Sequence, residues 1–193
     1  MAYTYEEFLK FPENFNDKRY EAINREVYEM ASPSTRHQTV CDNISNIFGN
    51  FLKGKHCKLC VQPFDVFLGE DVVVPDLSVV CDRTKITKKG CVGSPDLVVE
   101  ILSPSTLKKD MTIKTELYRK NKVKEYWMIF PLDGYVVVHV LNALGSYDKT
   151  EYSDEDTIYP SMFPEFPVKL RFVFSEEFDR HEVVEYFKML LDI

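Results

Sequence analysis

Two acidic residues sit where acids are costly. Asp76 lies within VVVPDLSVV and Glu100 within DLVVEILS. Burying a carboxylate without a partner costs on the order of several kcal/mol. A buried acid therefore has a cationic partner, is protonated, or binds a metal. Two such acids on neighbouring strands suggest one shared answer, a divalent cation held by oxygen ligands. The chain offers two Pro-Asp pairs, Pro75-Asp76 and Pro95-Asp96. Asp96 and Glu100 fall on one strand, roughly 13 Å apart at about 3.3 Å per residue. That is too far to share one ion at a ligand distance of about 2.1 Å. Asp76 and Glu100 fall on separate strands and can converge if those strands lie side by side at about 4.8 Å. Asp96 reads as the polar start of a strand after the Gly93-Ser94-Pro95 turn.

The elements that must position these acids are legible from pattern. Thr4 and Glu7 form a capping box that opens a short helix before Pro12. Arg19–Ile23 and Glu26–Met30 read as strands around an Asn24-Arg25 turn. Ser34 caps a helix whose Val40, Cys41, Ile44, Ile47, Phe48 and Phe51 recur at helical spacing as far as Leu52. His37 falls on the same stripe. Leu59–Leu68 and Val72–Val80 read as strands joined around Gly69, and Leu97–Leu102 as a central strand covered on both faces. A helix spans about Leu107 to Asn121. Glu125–Phe130 and Tyr135–Leu141 form a hairpin that Tyr147–Tyr152 extends. Asp154–Asp156 is a solvated loop, and a short helix near Arg180–Leu190 closes the chain. Helices and strands mix without regular alternation, so the expected fold class is α+β (α/β-like) on one mixed sheet.

Composition bounds the rest. The chain has 193 residues, a net charge of −7, 45% hydrophobic and 13% aromatic residues. That predicts a single folded domain over residues 1–193 and is too aromatic for disorder. The apolar runs are too short to cross a membrane. With no secretory signal, the expected location is cytoplasmic and the five cysteines are expected as reduced thiols. Cys57 and Cys60 form a CxxC without a second pair at finger spacing, so small buried hydrophobes are the better reading than zinc. The charge is uneven. Residues 83–124 hold 11 Lys or Arg against four acids, whereas residues 145–193 hold five against 12. A basic stretch of this kind faces a polyanion or is simply a solvated face.

Pro75-Asp76 followed by Glu100 one strand later resembles the PD-(D/E)xK nuclease superfamily. The run SPDLVVEILSPSTLKKDMTIKTELYRKNKVKEYWMI, with Asp110, Lys114, Tyr118 and Glu125-Tyr126-Trp127, is similar to the Uma-two family of restriction endonucleases within it. So is the block RYEAINREVYEMASPSTRHQTV. The resemblance covers about Arg19 to Ile129. It implies a restriction-endonuclease-like mixed sheet flanked by helices, with a nuclease core at about 19–141. It also implies Mg2+- or Mn2+-dependent hydrolysis of phosphodiester bonds in DNA. Asp76 and Glu100 would be metal ligands and the Ile101 backbone carbonyl a third.

One departure stands out: the motif asks for lysine two residues after the glutamate, and that residue is Leu102. The resemblance makes a lysine from the next helix the substitute. Lys114 lies one turn after Asp110 and one turn before Tyr118, on one face; its bland role is an ion pair with Asp110. Lys108 and Lys109, at the helix start, suit phosphate contacts. Glu21 either completes the metal site or holds Lys114, or is an exposed strand residue. His37 either contacts phosphate, orients Glu21, or is a structural hydrogen bonder. Tyr118 and Trp127 read as core or pocket wall. No dedicated DNA-reading module is visible, so specificity would come from loops such as Cys81–Val92 or from a partner. A homodimer suits cleavage of two strands. The alternatives are a catalytically inactive nuclease-like fold that binds nucleic acid or protein, and a small structural protein without a nucleic-acid role.

Overall fold

The structure, a computed structural model, describes residue 10 and residues 18–177 and 180–191. The capping-box helix expected at Thr4 lies outside them. In chain order the elements are β1 (Tyr20–Ile23), β2 (Glu26–Glu29), α1 (Thr35–Leu52), β3 (Lys58–Val61), β4 (Val66–Leu68), β5 (Asp71–Val73), β6 (Leu77–Val80), β7 (Cys91–Val92) and β8 (Leu97–Ile101). Then come α2 (Leu107–Lys109), a π-helical turn (Asp110–Lys114), α3 (Thr115–Lys120), β9 (Glu125–Phe130), β10 (Tyr135–Leu141) and β11 (Tyr147–Ser153). β12 (Thr157–Ile158), β13 (Val168–Lys169), α4 (Leu170–Phe174) and α5 (Arg180–Leu191) complete the fold.

The expected single sheet is corrected to two larger sheets and a two-stranded ladder. The six-stranded sheet runs β11-β10-β9-β8-β6-β3 and the five-stranded sheet runs β2-β1-β5-β4-β7. Only β8 and β9 are parallel in the larger sheet, so it is mixed. Prolines cause the division. Proline has no N–H to donate to a ladder. Each expected long strand therefore breaks, at Pro63 and at Pro75. The outer halves β3 and β6 pair in the larger sheet, and the inner halves β4 and β5 pair in the smaller one. Asp76 is left at the joint where the chain passes between sheets.

The other elements follow the pattern. Ser34 Oγ accepts from the His37 N–H, 3.2 Å, and starts α1. Asn24 and Arg25 both adopt positive φ, 53° and 64°, in the tight turn between β1 and β2. One face of the larger sheet packs on α1, α4 and α5 through Phe48, Trp127, Phe166 and Val173. The other face packs on the smaller sheet and on α3 through Tyr118, Tyr126, Val98 and Val66. Trp127 is core, with Phe48 edge-on at 5.7 Å. Fully burying an aliphatic or phenylalanine side chain is worth about 1.5–3 kcal/mol, so these two clusters fix β8 and β9 rigidly. No helix among the described residues is long and apolar enough to cross a membrane.

The cysteine expectation needs correcting. Cys57 and Cys81 are joined by a disulfide. They flank the β3–β6 pair, in which Lys58 lies opposite Val80. Cys41, Cys60 and Cys91 are free and buried. Cys57 packs with the α1-side cluster and Cys60 with the opposite one, so the two halves of the CxxC face different layers.

Candidate active site

β6 and β8 are antiparallel neighbours, with Leu77 opposite Val99. That register carries Asp76 to the end of β8. The Ile101 N–H donates to Asp76 Oδ2, 2.6 Å, and Gln62 Nε2 donates to Asp76 Oδ1, 2.6 Å. His37, from the first turn of α1, places Nε2 3.3 Å from Asp76 Oδ2. It therefore orients Asp76 rather than Glu21. Burial pushes the His37 pKa down, but the Asp76 hydrogen bond and charge outweigh it and hold it above its ordinary value.

Glu100 points toward the π-helical turn. Lys114 Nζ lies 2.8 Å from Glu100 Oε1, and the Tyr118 hydroxyl donates to the same oxygen at 2.6 Å. Lys114 also lies 2.7 Å from Glu21 Oε1 and 3.5 Å from Asp110 Oδ1. Glu21 is fully buried, so its reading as an exposed strand residue is corrected. It accepts from the Val74 N–H, 3.1 Å, and from Lys109 Nζ, 2.5 Å. Lys109 thus belongs to the acid cluster rather than standing free, with its ammonium also over the Tyr28 ring at 5.2 Å. Lys108 is exposed. Leu102 packs in the core beside Val98 and Met128, which explains why no lysine works from that position. The π turn widens the helix at Asp110–Lys114, a device common at functional sites.

The cluster holds more acidic groups than cations. Glu21, Asp76, Glu100 and Asp110 are all buried, against two ammonium groups and His37. Burial pushes Glu100 up to about 8, and the neighbouring Asp110, Asp76 and Glu21 add to the rise against the pull of Lys114. Asp110 also rises, chiefly from burial. Glu21 moves the other way, because Lys114 and Lys109 overcome its burial. Burial would lower Lys114, but Glu100, Glu21 and Asp110 together hold it well above the ordinary lysine value. Asp110 Oδ1 is buried without a hydrogen-bond partner.

This donor set suits a hard divalent cation: several carboxyl oxygens, one of them (Asp110 Oδ1) held only by the longer Lys114 ion pair, beside a main-chain carbonyl. Among the described residues no three His, Cys, Asp or Glu side chains gather as a preformed cluster. The fit rests on two carboxylates, Asp76 and Glu100, and the Ile101 carbonyl. The cleft opens between the Ala31–Ser34 segment, the Ser103–Thr106 turn and Leu132.

Three participants were not singled out from the sequence as site residues. Tyr118 read as core or wall, yet its hydroxyl is bonded to Glu100. Gln62 gave no signal, because its link to Asp76 depends on the strand break at Pro63. Asp110 read only as a helical ion-pair partner; its place in the same helical repeat as Lys114 and Tyr118 was the available clue. Asp96 matches its expected structural role. It accepts from the Cys81 N–H and from Lys124 at the opposite end of β8.

The fold and the chain both have relatives. A solved structure titled a "putative nuclease belonging to DUF820" from Anabaena variabilis ATCC 29413 superposes with a TM-score of 0.74 at 21% identity. The match covers 89% of this chain and 97% of that one. The fold is accordingly restriction-endonuclease-like, a mixed sheet flanked by helices. The uncharacterized protein slr1290 of Synechocystis sp. (strain ATCC 27184 / PCC 6803 / Kazusa) is 29% identical over 126 residues, 64% of this chain. The chain spans 66% of that relative's length. The family model described as "Uma2: Putative restriction endonuclease" matches residues 5–171. With most of its length matched, the chain belongs to the Uma2 family.

Proposed function

We propose that the protein is a metal-dependent endonuclease that hydrolyses phosphodiester bonds in DNA. The observation that carries this is the meeting of Asp76 and Glu100 at the ends of two adjacent strands, with Ile101 lining the same cleft, in a cluster where four buried acidic groups outnumber the cations. Asp76, Glu100 and the Ile101 carbonyl would hold Mg2+ or Mn2+. When bound, such an ion lowers the pKa of a coordinated water and stabilises charge growing on the phosphate. His37 and Gln62 fix the orientation of Asp76, and Tyr118 fixes that of Glu100. Lys114, held as an ammonium, acts as a hydrogen-bond donor and positive charge toward water or phosphate, not as the base. Two copies related by a two-fold axis would serve the two strands of a duplex, which the mass in solution tests.

One observation favours the second reading, an inactive nuclease-like fold that binds nucleic acid or protein. Lys114 sits between Glu100 and Glu21 with both ion pairs made, so the cluster has an internal cation already. The deciding experiment incubates supercoiled plasmid with wild type, Glu100→Gln and Lys114→Ala, with Mg2+ or Mn2+ and with chelator. Metal-dependent nicking that both variants lose is expected. Metal binding by calorimetry without any cleavage would move the protein to the binding-only reading, and no metal binding would end the enzyme reading.

A further inference from the structure

The cleft has almost no free positive charge to offer DNA. Lys114 and Lys109 are spent on Glu100 and Glu21. An excess of positive charge lies at the other end of the larger sheet, where β6 ends and β3, β8 and β9 begin. Three segments meet there: 53–58, 82–90 and 119–124. Together they hold eleven Lys or Arg and one acid, Asp82, in a chain whose net charge is −7; Lys124 pairs with Asp96, and Arg119 and Lys120 pair with Glu116, which leaves eight cations outside those pairs.

These segments are pinned to one another. The Cys57–Cys81 disulfide joins the first to the start of the second. Arg83 Nε donates to the His56 carbonyl, 2.7 Å, across the same junction. Lys85 Nζ donates to the Ser94 carbonyl, 2.9 Å, and Ser94 Oγ donates to the Asn121 carbonyl, tying in the third segment. Lys53, Lys55, Lys58, Arg83 and Lys122 are all exposed. The basic charge therefore sits on a braced surface. It lies about 16 Å from Asp76 along the five-residue run to Cys81. Along the 18 residues of α1, from the His37 end, the separation is about 27 Å.

We propose that this end of the sheet is a second nucleic-acid contact, a sequence-independent seat for the phosphate backbone of duplex DNA, separate from the acidic cleft. A braced cationic surface neutralises phosphates without reading bases. The separation spans about five to eight base pairs at 3.4 Å per pair, so one duplex long enough to reach both would be held at two points. The seat rests on charge and placement alone and does not require that the cleft cut.

The test is fluorescence anisotropy of a labelled 30-base-pair duplex in chelator, over a salt series. It compares wild type with Lys55→Glu/Arg83→Glu/Lys122→Glu, and with Lys53→Glu/Lys58→Glu, which leaves the Arg83 bond intact. Melting curves confirm that each is folded. The triple variant is expected to bind at least tenfold more weakly. Its slope of log K against log salt should be shallower by roughly three, near one for each phosphate no longer neutralised. The double variant should be shallower by roughly two, and Glu100→Gln should keep the wild-type slope. Unchanged slopes in both charge variants, or no wild-type binding at all, would overturn the proposal. So would light scattering showing that the basic end instead holds the acidic 145–193 region of a second copy, with DNA affinity unaltered. Lost duplex binding with no wild-type cleavage would uphold the seat and remove the nuclease. Intact plasmid cleavage with unchanged slopes would do the reverse.

Discussion

The two ends of the larger sheet handle charge in opposite ways. At the cleft end, four acidic side chains and Lys114 are packed out of water, with the half-buried Lys109 at their edge. At the other end, cations outnumber acids, most of them stand in solvent, and hydrogen bonds and a disulfide tie their segments together. Substitution at the cleft end should therefore change stability, protonation and chemistry together. Substitution at the loop end should change long-range attraction and little else. The difference arises from dielectric: a unit charge is worth several times more where water is excluded.

The most severe way to test that contrast is Lys114→Met. It keeps much of the side-chain volume and removes the one cation that, among the described residues, touches Glu21, Glu100 and Asp110 together. Removing one partner of a buried ion pair typically costs about 3–5 kcal/mol. A loss of that size is expected in denaturant unfolding without metal, with partial recovery at acid pH as the carboxylates protonate. A variant within about 0.5 kcal/mol of wild type at pH 7 would show that the cleft is not a charge trap, and the contrast would fail.

pH sharpens it next. The folded Glu100 carboxyl lies at about 8, against 4.5 for an unperturbed glutamate. Folding therefore favours its protonated form. That stabilisation is complete below pH 4.5 and is lost as pH rises through 8. Glu100→Gln carries no such group. In chelator, its melting temperature relative to wild type should climb between pH 5 and 9, by the equivalent of a few kcal/mol. A constant gap across that range would show that Glu100 does not titrate there. No comparable effect is expected from any substitution at the loop end.

A smaller effect is expected from Tyr118→Phe. It removes the hydroxyl that donates to Glu100 and leaves the ring, which packs edge-on against Tyr126 at 4.9 Å. A hydrogen bond contributes about 0.5–1.5 kcal/mol between neutral groups and about 1.5–3 kcal/mol to a charged one. The expected loss is toward the low end, because Lys114 remains on the same oxygen. If Tyr118 positions Glu100 for catalysis, plasmid cleavage should fall through kcat and its pH profile should move. An unchanged pH profile with reduced stability would leave Tyr118 a structural residue.

How much of this was legible depends on which physical signal each feature leaves. Asp76 and Glu100 were visible because an acid in an apolar strand breaks a pattern. Their pairing followed from the spacing of neighbouring strands. α1 was visible through its periodicity and through Ser34. The division into two sheets was written in Pro63 and Pro75, but a proline within a strand signals only a break, not where the pieces go. Glu21 and Lys109 could not be joined in advance, because they are 88 residues apart and meet only through sheet packing. The disulfide was missed for a similar reason. Cys57 and Cys81 become neighbours only through the β3–β6 register. The basic stretch 83–124 was visible as charge, but it mixes two regions. Lys108, Lys109 and Lys114 belong to the cleft end, whereas Arg83 to Lys89 and Arg119 to Lys124 belong to the other end.

The smallest effect is the stability change of Lys53→Glu/Lys58→Glu, and it bears most directly on the loop end. Both side chains are exposed, so each substitution should cost less than about 0.5 kcal/mol. The sign should be favourable at low salt, because each reversal replaces repulsion among neighbouring cations with attraction. Between exposed charges that interaction is screened beyond a Debye length of about 10 Å at 0.1 M salt. The variant should therefore melt slightly above wild type at 20 mM salt and level with it at 0.5 M. The same salt range should leave the loss in Lys114→Met nearly untouched, since buried pairs are screened much less than exposed charges. Equal salt sensitivity at the two ends would mean that both sets of charges are screened alike, and the division between a buried acidic end and an exposed basic one would not hold.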